Sequence, residues 1–314
     1  MSKYLIIGDI HCRPDNLNKV NELFNIIESK QLPVILLGDV LDTKEVIRGK
    51  CLNLIYNRLK SSKLKYNILV GNHCWFNNEQ SDHSLRVLNS LPNVRVIDTP
   101  TFLYNNMNVI LVPYYRNPAK FLHSITFSSI EFVIGHQGVK EFTLGSGYTE
   151  DEAVDLKDLT RFKQVIMGHY HTPMDKGNVV YVGSPFSHSF GESNENKRLA
   201  IFHTDLGIIE YIPLDLPRHV SVTIDLDNPV NLQVDTVNHN RVILKGSKEQ
   251  IDLFDKTKYN GVKFIEEYKV EEHKLVLKET ETPVNLYTKW IKEVKKEDNQ
   301  DIYKLGLDIL NEVK

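Results

Sequence analysis

An α/β fold is predicted by three features of the chain. Short Val/Ile/Leu runs alternate with longer amphipathic stretches, the runs are apolar throughout instead of alternating, and five of them end at a glycine followed by a polar group. Continuous apolar runs mark central strands covered on both faces. In order, Tyr4 to Ile7 reads as a strand, Leu17 to Ile27 as a helix with apolar residues at helical spacing, Val34 to Leu37 as a strand and Leu52 to Leu59 as a helix. From Phe102 the stretch FLYNNMNVILVPYY reads as a hairpin reversing at Asn-Asn. Further strands are expected at Phe132, Val165, Val179 and Leu199, and the core domain, residues 1–217, ends at Pro217. Beyond it, strands at His219–Leu226, Arg241–Lys245 and Val262–Tyr268 and a short helix at Glu249–Asp255 form a small α+β module, residues 218–270. A charged linker, 271–282, precedes two amphipathic helices in 283–314. The first opens at Pro283 and carries Leu286, Tyr287, Trp290, Ile291 and Val294; the second carries Ile302, Leu305, Ile309, Leu310 and Val313.

Composition excludes several classes. With 41% hydrophobic residues over 314 positions, a globular core is assured, and no apolar run approaches the roughly 20 residues needed to span a bilayer. The opening MSKYLIIGD is too short in its apolar part for a signal peptide, so a cytoplasmic location is expected, host cytoplasm if a phage encodes the chain. Cys12, Cys51 and Cys74 show no paired spacing, which argues against a disulfide framework or a cysteine zinc site. A net charge of −3 gives no global basic signature.

The five glycine-terminated runs carry the chemistry. YLIIGDIH delivers Asp9 and His11, VILLGDV delivers Asp39, NILVGNH delivers Asn72 and His73, FVIGH delivers His136, and VIMGHYH delivers His169 and His171. Ligands of open α/β sheets gather beyond the carboxyl ends of the strands, where these groups would converge. Any one Gly-Asp after a strand is most often a turn or cap, and a single His is usually packing; the argument rests on five of them together. Imidazole, carboxylate and carboxamide without thiolate suit manganese, iron or zinc in a reactive site. Seven or so ligands exceed the needs of one ion, and a carboxylate such as Asp39 can bridge two, so a two-metal phosphoesterase is expected.

These blocks resemble the calcineurin-like metallophosphoesterase superfamily, whose signature runs D-x-H, GD-x-x-D, GNH, GH, GH-x-H in that order. The resemblance covers roughly the first 190 residues and implies a two-sheet sandwich flanked by helices. It implies that Asp9, His11, Asp39 and His171 hold one divalent ion, and that Asp39, Asn72, His136 and His169 hold a second. Manganese is the expected metal, with magnesium, iron or zinc as alternatives. It also places His73 beside the leaving group as a proton donor and Asp42 as the carboxylate orienting it. GHYHTP, then NVVYVGSPFSHSFGE and RLAIFHTD, is similar to the nuclease subunit of SbcCD-type repair complexes, phage recombination nucleases in particular, with Gly183, Ser184, Pro185, Gly191 and Glu192 on the shared layout. The resemblance implies a DNA exonuclease and endonuclease, a homodimer, in which residues 218–270 form a DNA-binding capping domain and the terminal helices dock on the coiled coil of an ABC-type ATPase. A free-standing phosphatase or cyclic-nucleotide phosphodiesterase is the alternative. Two departures stand out: Cys74 follows GNH where Asp is frequent, and Thr43 follows GD-x-x-D where protein phosphatases carry Arg-Gly, which weakens the phosphatase reading.

Two basic features bear on DNA. Arg13, two residues after His11, is the best single candidate for gripping a substrate phosphate, because guanidinium fits phosphate bidentately. Arg48, Lys50, Arg58, Lys60, Lys63 and Lys65 lie in a stretch without acids, as either a phosphate-tracking stripe or a solvated helix face.

Overall fold

The structure, a computed structural model, describes residues 2–44, 46–104, 106–142, 152–229, 232–235, 237–269, 282–291 and 300–312. Two six-stranded sheets dominate. The first runs β12-β11-β1-β2-β3-β4, with β1 Lys3–Ile7, β2 Val34–Leu36, β3 Tyr66–Leu69, β4 Val94–Ile97, β11 Arg198–His203 and β12 Ile208–Pro213. The second runs β5-β6-β7-β8-β10-β9, with β5 Thr101–Leu103, β6 Asn106–Val112, β7 Phe132–His136, β8 Gln164–Gly168, β9 Met174–Lys176 and β10 Val179–Tyr181. In each sheet four strands pair in parallel, β1 to β4 and β6, β7, β8 and β10. Antiparallel strands finish the edges: β11 and β12 beyond β1, β5 beside β6, and β9 beside β10.

The unbroken apolar runs follow from burial on both faces. Side chains alternate across a strand: Leu5 and Ile7 of β1, Val34 and Leu36 of β2 and Ile68 of β3 pack with Leu23, Phe24, Ile55 and Leu59 of the helices α1 Leu17–Lys30 and α2 Gly49–Ser61. Their neighbours Ile6, Ile35 and Leu69 point the other way and meet Val109, Leu111, Phe132, Ile134 and Ile166 of the second sheet. Ile110, Val112, Val133, Val165 and Met167 complete the outer face of that sheet beneath α3 Pro118–Ser124. The chain is therefore the expected two-sheet α/β sandwich flanked by helices. Three edge strands were not expected from the sequence, β4, β9 and the six-residue β12, nor was the seven-residue α3, which is marked only by Asn117 capping Ala119 N–H with Pro118 at the first turn.

Two compact units result, one of Met1–Val222, Asn231–Val242 and Thr257–Phe264, the other of Thr223–Val230, Ile243–Lys256 and Ile265–Lys314. A three-stranded sheet, β13 His219–Asp225, β14 His239–Gly246 and β15 Lys263–Tyr268, contributes to each, and α4 Lys248–Leu253 opens with a Ser247/Gln250 capping box. Within the second unit α5 Pro283–Lys289 and α6 Gln300–Glu312 pack on one another, with Tyr287 and Tyr303 stacked at 6.1 Å. Leu305 and Ile309 of α6 stay more than half exposed. The expected linker, apart from Thr282, and Val294 and Val313 lie outside the described residues, as does the side chain of Ile302. Among the described residues no helix is long and apolar enough to cross a membrane.

Candidate metal centre

All seven residues expected as ligands meet at the carboxyl ends of β1, β2, β3, β7 and β8. The turns leaving these strands are tight. His11, Asp39 and His169 take positive φ of 43°, 43° and 102°, a conformation disfavoured for residues with a Cβ. Gly71 is required by packing: a Cβ there would overlap the Asp39 carboxylate and the Asp39 backbone. Three residues held at positive φ, two of them directly after a glycine, are characteristic of a site whose geometry the surrounding fold enforces.

His11 Nε2 lies 3.1 Å from His171 Nε2. His171 Nδ1 is 2.9 Å from Glu192 Oε1, and His11 Nδ1 is 3.3 Å from Asp42 Oδ1, so each ring has a carboxylate at Nδ1. A carboxylate accepts, which places the ring proton on Nδ1 and the lone pair on Nε2. Two lone pairs at that distance repel unless a proton or a cation lies between them. Asp9 completes one set of close donors with these two histidines, and its carboxylate also accepts from the His169 backbone N–H at 3.0 and 3.1 Å.

A second convergence lies on the other side of Asp39. His136 Nδ1 donates to Leu37 O at 2.8 Å, so its Nε2 presents a lone pair toward Asn72 Oδ1 at 2.9 Å and Asp39 Oδ2 at 3.5 Å. His169 Nδ1 reaches the same Asn72 oxygen at 3.0 Å. Burial pushes His136 down, but Asp39 and then Asp9 more than offset it and hold the ring up to about 9. His11 is raised likewise, with burial outweighed by Asp42, Asp39 and Asp9, while Asp39 is held well below the usual carboxylate range by His136, His11 and His73 against its burial. The donor set fits divalent cations at both convergences, since hard oxygens with imidazole nitrogens are the ligands of manganese, iron and zinc.

His73 and Asp42 meet differently from expectation. His73 Nδ1 donates to the backbone carbonyl of Asp42 at 2.9 Å, while the Asp42 carboxylate turns to His11. The carbonyl still fixes the His73 tautomer, leaving Nε2 to exchange a proton. Burial lowers the His73 pKa, opposed by Asp39, and its backbone N–H donates to Asp39 Oδ1 at 2.8 Å. Arg13 donates to His188 O at 3.2 Å and lies 3.4 Å from Asp15. Cys74 is buried beside Asp39, and burial pushes its thiol pKa up, which disfavours the reactive thiolate. Of the basic stripe, Arg58 turns back onto α1, donating to Asn21 O at 3.1 Å and covering the Phe24 ring.

Several residues escaped the sequence reading. Lys197, 4% exposed, donates to Glu192 at 2.8 Å, Glu195 at 2.7 Å, Ser184 at 3.0 Å and the His171 carbonyl at 2.9 Å. It neutralises the carboxylate that orients His171. His188 packs edge-on against the rings of His11 and His171, its pKa pushed down to about 2 by burial and then by those two histidines. Glu192 was visible as part of a loop layout; Lys197 and His188 gave no signal, being single polar residues in a loop without periodicity.

The calcineurin-like phosphoesterase family model matches residues 2–173. Among relatives, 244L, a candidate phosphoesterase of Invertebrate iridescent virus 6, is 28% identical over 82% of this chain and 98% of its own length. Exonuclease subunit 1 of Enterobacteria phage T4 is 28% identical over 58% of this chain and 56% of its own. The chain thus aligns with little more than half of the phage protein. Each Asp, Asn and His of the two convergences falls inside the family match, which itself spans more than half of the sequence, and the chain belongs to the calcineurin-like phosphoesterase family, whose members hydrolyse phosphoesters with divalent metals.

Proposed function

We propose that the chain is a two-metal DNA phosphodiesterase, the nuclease subunit of an SbcCD-like complex with a coiled-coil ATPase. Asp9, His11, Asp39 and His171 would hold one cation, and Asp39, Asn72, His136 and His169 the other, with manganese the expected metal. The observation that carries the reading is the double convergence of acceptors on either side of Asp39, at 3.1 Å between His11 and His171 and at 2.9 to 3.5 Å around His136 Nε2. Bound cations would supply an activated water and neutralise charge on the phosphoryl oxygens.

The remaining roles belong to the protein. Glu192 and Leu37 O orient the two imidazoles through their Nδ1 atoms. His73, with Nδ1–H held by the Asp42 carbonyl, moves a proton at Nε2; a phosphodiester anion beside it favours the imidazolium that can donate to the departing oxygen. Arg13 is assigned to a substrate phosphate. The likeness to the phage exonuclease subunit supports a nuclease that works as one subunit of an assembly; the homodimer and the coiled-coil ATPase partner rest on the SbcCD-type layout of Gly183 to Glu192, and exposed Leu305 and Ile309 on α6 offer such a partner an apolar stripe.

Incubation of linear DNA with the Mn-loaded chain tests the reading, and degradation is expected. Strong turnover of small phosphomonoesters or cyclic nucleotides with intact DNA would assign the site to the alternative phosphatase or phosphodiesterase class.

A further inference from the structure

A cavity of about 560 Å³ opens beside Asn72 and is lined by Trp75, Phe76 and Tyr114 together with Lys44, Arg116 and Gln80. Its volume is that of a small-molecule site. Its near end is Asn72, whose side-chain oxygen meets His136 and His169, so the cavity adjoins the candidate metal centre.

The walls are fixed. Phe76 N–H donates to Asp82 O at 3.0 Å, Ser84 N–H to Cys74 O at 2.9 Å, and Trp75 bridges His83. Gln80 ties this loop to the opposite wall, donating to Tyr114 O at 2.8 Å and accepting from Arg116 N–H at 3.2 Å. Trp75 Nε1 donates to Tyr114 O at 3.3 Å. The Arg116 side chain is half exposed and 3.3 Å from Glu152, a surface ion pair that a phosphate can replace at small cost.

We propose that this cavity holds one nucleoside unit of the substrate, esterified to the phosphate at the metal centre, with the base against the Trp75, Phe76 and Tyr114 wall and Arg116 and Lys44 near a flanking phosphate. Aromatic walls accept any base through its π-face; Glu79 and Glu152 also line the cavity, so the aromatic wall carries the fit, and Arg116 meets a flanking phosphate by exchanging Glu152 for it. The assignment rests on the phosphodiesterase reading and adds to it a place for one nucleoside and the residues that select it.

Calorimetric titration of the full Mn-loaded chain with deoxyadenosine monophosphate and with inorganic phosphate tests it. The nucleotide should bind at least tenfold more tightly than phosphate. Phe76→Ala should remove most of that advantage and raise KM for a short oligonucleotide about tenfold, while leaving the affinities for inorganic phosphate and Mn²⁺ unchanged. Arg116→Gln, at an exposed side chain that folding does not need, should raise the oligonucleotide KM several-fold with the same kcat. Equal binding of nucleotide and phosphate by the unaltered chain, or retention of the nucleotide advantage and of the oligonucleotide KM in both variants, overturns the proposal. A nucleotide advantage without DNA cleavage would sink the nuclease reading and leave the pocket standing; DNA cleavage without the advantage does the reverse.

Discussion

The Nε2 atoms of His11 and His171 face one another at 3.1 Å, each ring carrying a carboxylate at its Nδ1. The protein holds that contact through strained turns and a buried lysine, although it is repulsive unless a proton or a metal cation is shared between the two nitrogens. Divalent metal should therefore stabilise the fold. At a hundredfold excess over Kd the gain is about 2.7 kcal/mol per site, several degrees in Tm. Thermal melts with and without Mn²⁺ should show the shift in the unaltered chain and a much smaller one in His171→Ala.

Lys197 lies between the Glu192 and Glu195 carboxylates. Removing one partner of a buried ionic cluster leaves uncompensated charge, so Lys197→Met should cost about 3–5 kcal/mol. Denaturant unfolding measures it, and Glu192→Gln in the same chain should recover part of the loss. A cost under about 1 kcal/mol would show that solvent, not Lys197, neutralises these acids.

Gly71 should not tolerate alanine. The added Cβ meets the carboxylate that bridges the two convergences, so Gly71→Ala should weaken Mn²⁺ binding at least tenfold; isothermal titration reads this directly. Ordinary affinity in that variant would mean that the loop yields easily and that the close approach is incidental.

His219 stacks on His239 at 4.9 Å and is pushed down to about 4 by burial, then by His239 and Lys19. Its folded pKa lies below the unfolded value near 6.5, so the unfolded chain binds the extra proton first. Stability attributable to this residue is unaffected above pH 6.5 and falls as pH drops toward 4. His219→Gln should lose less stability than the unaltered chain between pH 7 and pH 4, as followed by urea midpoints; parallel losses would contradict the assignment.

The sandwich and the cluster were legible because both leave repeated marks. Strands buried on two faces read as unbroken apolar runs, as at Leu5–Ile7 and Val34–Leu36, and five of the seven candidate ligands directly follow a glycine. What surrounds the cluster was not legible. Lys197 reaches four partners only because β11 places it beside the His171 loop, and no spacing in the sequence records that. Whether Asp42 serves His73 by its carboxylate or its carbonyl depends on one side-chain rotamer. Thin edge strands such as Met174–Lys176 carry too little apolar surface to stand out from loops.

The five strand ends are proposed to form a two-cation centre that cleaves DNA. Its most direct test measures bound Mn²⁺ per chain and Mn-dependent degradation of linear DNA together, in the unaltered chain and in Asp39→Asn. Two equivalents with degradation, both sharply reduced in a folded Asp39→Asn chain, is the predicted result. A folded, unaltered chain that binds two ions yet leaves DNA intact while turning over small phosphoesters would contradict the claim.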